Sequence, residues 1–140
     1  MFRSQGAMPQ PSPMSVMVVD DNPDDRDLLS ALVETAIPSA RLSLAENGFQ
    51  ALVSIGQAVP DVLITDIVMP HMNGFEMLRQ LSTQCVVRPR LIFAVSSQTP
   101  QQFSQLGELP ADVRFCPNPI DPTAFIRSMQ AAVEALDAST

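Results

Sequence analysis

The sequence contains no lysine, no tryptophan and no tyrosine, and only one histidine and two cysteines in 140 residues. Its eight basic residues, all arginines, face fifteen acidic ones, and the net charge of −7 argues against a nucleic-acid backbone as partner. Cys85 and Cys116 are too few for a disulfide framework, so a reducing cytoplasm is the expected compartment. Long apolar runs are missing too, as is the apolar core of a signal peptide, so no membrane partner is expected. What remains is 46% hydrophobic and 16% charged, a balance that excludes a disordered chain and supplies the core of one domain.

The first stretch, "MFRSQGAMPQPSPMS", has no periodicity. Residues 1–14 read as a mobile leader, with Met8 and Met14 as alternative starts, and residues 15–140 read as one domain. From there strands and helices alternate. Val16 to Asp20 reads as a strand, and Asn22-Pro23 supplies an N-cap and a first-turn proline. Leu28, Leu29, Leu32, Val33 and Ala36 form the next helical stripe, ended by Pro38. Leu42-Ser43-Leu44 alternates like a strand, and Gly48 to Ile55 is a short helix. Val62 to Thr65 is an apolar strand, followed by a helix carrying Phe75, Leu78 and Leu81. Leu91 to Val95 is the fourth strand, and Thr99-Pro100 caps a short helix with Phe103 and Leu106. Val113 to Cys116 is the last strand, and Asp121-Pro122 opens a helix with Phe125, Ile126, Met129, Val133 and Leu136 facing inward. Five βα units of this length predict a doubly wound, flavodoxin-like parallel sheet with strand order 2-1-3-4-5 and helices on both faces.

That topology gives the acids a meaning. Asp20 and Asp21 end the first strand and Asp66 ends the third. The two strands are neighbours at the switch point of the sheet, so three carboxylates converge on one crevice. Carboxylates so close repel one another and need a cation, and hard oxygen donors with open positions select Mg²⁺. Such an ion would neutralise an incoming phosphoryl group while one carboxylate acts as nucleophile. Against this, paired acids at a helix start are common for dipole reasons alone, and Asp66 has a competing reading as a turn carboxylate.

The segments "VMVVDDNPDDRDLL", "ENGFQAL", "PDVLITDIVMPHMNGFEML", "LIFAVSS" and "FCPNPID" resemble, in order and spacing, the receiver domain of two-component response regulators, from about Ser15 to Asp137. The resemblance implies that Asp66 accepts a phosphoryl group from a histidine kinase or a histidine phosphotransfer protein. It implies that Asp20, Asp21 and Asp66 hold Mg²⁺, with the backbone carbonyl of Val68 as the remaining protein ligand. The family's hydroxyl switch falls on Ser96, its following small residue on Ser97, and its aromatic switch on Phe115. It further implies an output by protein–protein contact through the fourth helix, last strand and last helix, toward a downstream protein target, with a dimer left open.

Two positions depart from the family. Phe115 replaces the commoner tyrosine and keeps the ring. The family's lysine before a proline falls on Asn118, ahead of Pro119, and no lysine elsewhere can stand in. Arg26, one turn into the first helix, is the nearest cation. The leading expectation is a stand-alone phosphoacceptor that signals and is not an enzyme. The alternative is an interaction module that works without phosphate. A phosphohydrolase with an aspartyl-phosphate intermediate ranks below both: it needs an acid two residues after its nucleophile, and those places hold Val68 and Asn22. His71, in the turn "MPHMNG", reads as a solvated loop residue, and Cys116 as a small buried hydrophobe.

Overall fold

The computed structural model describes residues 14–67, 74–84, 88–103 and 112–138. Residues 1–13, which hold most of the stretch read as a leader, and Val68, His71, Cys85 and Leu106 lie outside them. Strands and helices alternate strictly: β1 (Ser15–Val19), α1 (Pro23–Ala36), β2 (Arg41–Ala45), α2 (Gly48–Gln57), β3 (Val62–Asp66), α3 (Gly74–Gln84), β4 (Leu91–Ser96), α4 (Pro100–Phe103), β5 (Val113–Pro117) and α5 (Pro122–Ala138). All strand pairings are parallel and the order is β2-β1-β3-β4-β5, as expected.

Alternation along each strand splits the core in two. Val16, Val18, Val62, Ile64, Phe93 and Val95 face α1 and α5, where Leu29, Val33, Phe125 and Met129 meet them. Met17, Val19, Leu63 and Ile92 face α2 and α3, against Ala51, Ile55, Met77, Leu78 and Leu81. Burial on both faces is why β1, β3 and β4 read as unbroken apolar runs. The Phe93 and Phe125 rings lie 6.1 Å apart and tilted, joining the centre of the sheet to α5.

The helix starts are set by local polar chemistry. Asn22 Oδ1 accepts the N–H groups of Asp24 (2.9 Å) and Asp25 (3.1 Å) at the head of α1. At α2, Asn47 Oδ1 accepts the N–H of Gln50, whose own Oε1 accepts the N–H of Glu46. Before α4, Thr99 and Gln102 exchange side-chain to backbone bonds, a capping box. Apolar pattern and burial part company at Leu28, which joins the apolar stripe of α1 but is exposed, at Phe49 and Val53 on α2, and at β2. Its Leu42 is half-buried but Leu44 is 50% exposed, because β2 is an edge strand with no neighbour on its outer side. No helix among the described residues is long and apolar enough to cross a membrane.

At the amino ends of the strands one residue gathers three of them. Asp61 Oδ2 accepts the N–H (2.9 Å) and the hydroxyl (3.1 Å) of Ser15, and the Asp61 N–H donates back to the Ser15 carbonyl. The Asp61 carbonyl accepts the N–H groups of Arg90 and Leu91. Asp61→Ala leaves the Ser15 donors without their acceptor, and should lower stability in urea unfolding by about 1–3 kcal/mol.

Candidate functional site

The parallel register builds the site. Val19 pairs with Thr65, so the next residues along, Asp20 and Asp66, sit level at adjacent strand ends. Asp21 comes after them on the β1–α1 turn. Carboxylate oxygens of Asp20, Asp21 and Asp66 all lie within 4.8 Å of one another. Three hard anionic donors in that space fit one small divalent cation, and Mg²⁺ above softer metals.

The three acids are not equivalent. Asp21 is exposed and Asp66 half-buried, while Asp20 is 2% exposed. Asp20 Oδ1 accepts the Asn22 N–H at 2.9 Å, which favours the ionised form. Burial outweighs it: loss of water, reinforced by the charges of Asp25 and Asp21, pushes the Asp20 carboxyl up to about 6. Arg26 opposes that rise, although its Nη1 donates to the Asp20 backbone carbonyl, at 2.7 Å, and not to the carboxylate. Its Nη2 stands 3.8 Å from Glu46. The nearest cation is thus committed to a carbonyl.

The remaining described positions named from the sequence lie on β4, on β5 and in the segments that follow these two strands. Asp66 pairs with Val95, so Ser96 is the next residue along β4, 3% exposed. Its Oγ accepts the N–H of Gln98 at 3.0 Å, which leaves the hydroxyl hydrogen for another acceptor. Ser97 is exposed. The Phe115 ring is half-buried against Ile67 and Ala94. The Asn118 N–H donates to the Ser96 carbonyl at 2.9 Å, and the Asn118–Pro119 peptide is cis. Asn118 lines a small cleft with Asp20, Asp25, Leu28, Leu29, Val95 and Ile120. Val68, expected to offer a carbonyl, lies outside the described residues. Cys116 is half-buried against the α1–α5 core, and burial pushes its thiol up to about 11, so it remains a neutral hydrophobe.

Two contributors escaped the sequence. Asp25 adds negative charge beside Asp20, and the signal was present: the Asn22 cap fixes it in the first turn of α1, facing the loop. Thr65, fully buried, donates its hydroxyl to the Asp66 carbonyl at 2.9 Å and so steadies the peptide after the central acid. No residue pattern announces that contact.

A parallel five-stranded sheet with an acidic trio at the carboxyl ends of its first and third strands places the chain in the doubly wound class, with the trio at the switch point of the sheet. Comparison with known proteins gives the family: the model of the response regulator receiver domain matches residues 16–115, and the chain belongs to that family. It is 26% identical to protein PilH of Pseudomonas aeruginosa over 118 residues, covering 84% of this chain and 96% of that one. It is 39% identical to a protein-glutamate methylesterase/protein-glutamine glutaminase of Agrobacterium fabrum over 84 residues, but these cover only 23% of that enzyme. Two solved structures share the fold. The chemotaxis response regulator CheY4 of Vibrio cholerae superposes with a TM-score of 0.70 at 24% identity, covering 86% of this chain and 99% of that one. The signal receiver domain of a histidine kinase from Syntrophus aciditrophicus gives 0.74 at 21% identity, covering 87% and 91%.

The raised Asp20 carboxyl has a measurable consequence for the metal-free protein. The folded state holds this proton more tightly than the unfolded chain, whose carboxyl titrates near 3.8. The group therefore favours folding most below about pH 4, and that contribution is lost as pH rises through about 6. In chelator, Asp20→Asn should remove on the order of 2 kcal/mol of destabilisation near neutral pH and none near pH 4. Urea unfolding of both forms across that range checks the slope.

Proposed function

We propose that this receiver domain is a phosphoacceptor in a two-component relay, with Asp66 as the acceptor. The observation that carries the reading is the convergence of the Asp20, Asp21 and Asp66 carboxylates within 4.8 Å. Asp66 is the acid at the strand exit, half-buried, with one neighbour buried and the other solvated. In the transfer, an Asp66 oxygen forms a bond to phosphorus as the phosphorus–nitrogen bond to a partner's phosphohistidine breaks. The electron pair stays on the imidazole. Asp20, Asp21 and Asp66, with the Val68 carbonyl, would hold Mg²⁺, which supplies charge neutralisation at the phosphoryl oxygens.

The rest of the constellation serves the response to transfer. Ser96 has its hydroxyl hydrogen available for a phosphoryl oxygen, and the Phe115 ring, on the strand paired with β4, repacks behind it. The output is protein–protein contact through α4, β5 and α5, with a kinase or phosphotransfer protein upstream and a protein target downstream, in the cytoplasm. Asn118 stands where the family's lysine would stand, in the cleft shared with Asp20 and Asp25. An ammonium there would give a charge-assisted hydrogen bond, roughly twice as strong as one from a neutral amide. Modification survives that loss, since the metal and the acids act at phosphorus, but switching is weakened. The same neutral side chain favours the second reading, an interaction module independent of phosphate.

Intact mass after acetyl phosphate and Mg²⁺ decides between them. A single phosphoryl adduct, absent from Asp66→Asn, is expected; an adduct that survives Asp66→Asn sinks the assignment, and no adduct on the parent favours the second reading. Millimolar Mg²⁺ should also raise the thermal midpoint of the parent, by linkage of binding to folding. Asn118→Lys should enlarge the phosphorylation-dependent change in partner affinity about tenfold. No gain in that comparison would show the amide to be an adequate replacement.

A further inference from the structure

The acid least restrained by its own contacts is Asp21. It is exposed, and its carboxylate takes no hydrogen bond from any described residue, whereas Asp20 is buried and bonded to the Asn22 N–H. Only the backbone can aim Asp21, and the plane that does so is the Asp20–Asp21 peptide. The carbonyl of that peptide accepts the Arg26 guanidinium at 2.7 Å, and the Asp20 N–H at the other end of the residue donates to the Ala45 carbonyl at 3.1 Å. Arg26 is itself held. Its side chain is 15% exposed, its backbone N–H donates to the Asn22 carbonyl, and Glu46 on the β2–α2 turn stands beside its second nitrogen. A planar guanidinium holds its nitrogens in a fixed fork, so that one can bond a carbonyl while another faces a carboxylate, where an ammonium has a single nitrogen on a flexible stem.

We propose that Arg26 is a positioning residue of the acidic site. By fixing the Asp20–Asp21 peptide plane from the first turn of α1, it aims Asp21 at the space shared with Asp66. The inference rests on the reading of these acids as a Mg²⁺ site, and goes beyond it by assigning the residue that builds the site. It also gives the arginine a task other than that of the missing lysine, since its short bond is made to a backbone carbonyl. Of its two contacts, the short bond to the carbonyl dominates. Glu46 is 64% exposed and 3.8 Å away, and ion pairs of that kind contribute little.

The sign of the effect on Mg²⁺ distinguishes positioning from charge. A cation beside a metal site repels the metal, so removing an arginine that acted only by its charge would tighten Mg²⁺ binding. Removing one that positions a ligand weakens it, and loss of an outer partner of this kind weakens metal binding about 10–100-fold. Calorimetric titration of Mg²⁺ into the full chain should show Arg26→Met binding about tenfold more weakly. Arg26→Lys keeps the charge but loses the fixed fork and should fall between Arg26→Met and the parent, and Glu46→Gln should stay close to the parent. Amide hydrogen exchange without metal reads the turn itself: Asp20 and Asn22 should exchange faster in Arg26→Met, with the β3 and β4 amides unchanged. Tighter Mg²⁺ binding by Arg26→Met, or Arg26→Met indistinguishable from the parent in both measurements, overturns the proposal. A parent that binds no Mg²⁺ overturns the metal reading instead, and the exchange rates at Asp20 and Asn22 then decide whether Arg26 holds the turn.

Discussion

Repulsion among carboxylates at the ends of two adjacent parallel strands is the constraint around which the rest of the molecule is arranged. The register that pairs Val19 with Thr65 brings Asp20 and Asp66 level, and the turn after β1 adds Asp21. Because Asp20 is almost wholly buried, water cannot screen it, and its carboxyl answers by holding a proton until about pH 6. The positive charge in reach does not offset the negative. Arg26 is spent on a carbonyl, and Asn118 is neutral. A site with this balance is short of positive charge.

One helix carries much of the burden. α1 buries Leu29, Leu32 and Val33 in the core it shares with α5, and its first turn delivers Asp25 and Arg26 to the acids. The Asn22 cap and Pro23 fix where that turn begins, so the packing that stabilises the fold also sets the electrostatics of the site. Stability and function meet here on the same backbone, a few residues apart.

Much of this was legible in the sequence for identifiable reasons. β1, β3 and β4 are covered on both faces, so their apolar runs stand out, and Asn22-Pro23 announces α1 through known cap chemistry. The acidic trio emerged once the order of the strands was inferred. Other features hid because they depend on three-dimensional neighbours. Leu44 shares the alternation of Leu42, yet its exposure is decided by β2 lying at the edge. Thr65 and Arg26 act on backbone carbonyls, which every residue possesses and no sequence pattern marks. The depth of Asp20, and so its proton affinity, is likewise a property of packing and not of residue type.

Ser15 and Asp61 sit at the opposite pole of the sheet from the acids. Their exchange of bonds, with the Asp61 carbonyl reaching to Arg90 and Leu91, ties β1, β3 and β4 together where the strands begin. Strands held at one end and packed along both faces transmit little displacement along their length. A change of charge at the far end is therefore expected to leave the sheet where it is. In mechanical terms the sheet is an anvil, a fixed surface against which such a change would act.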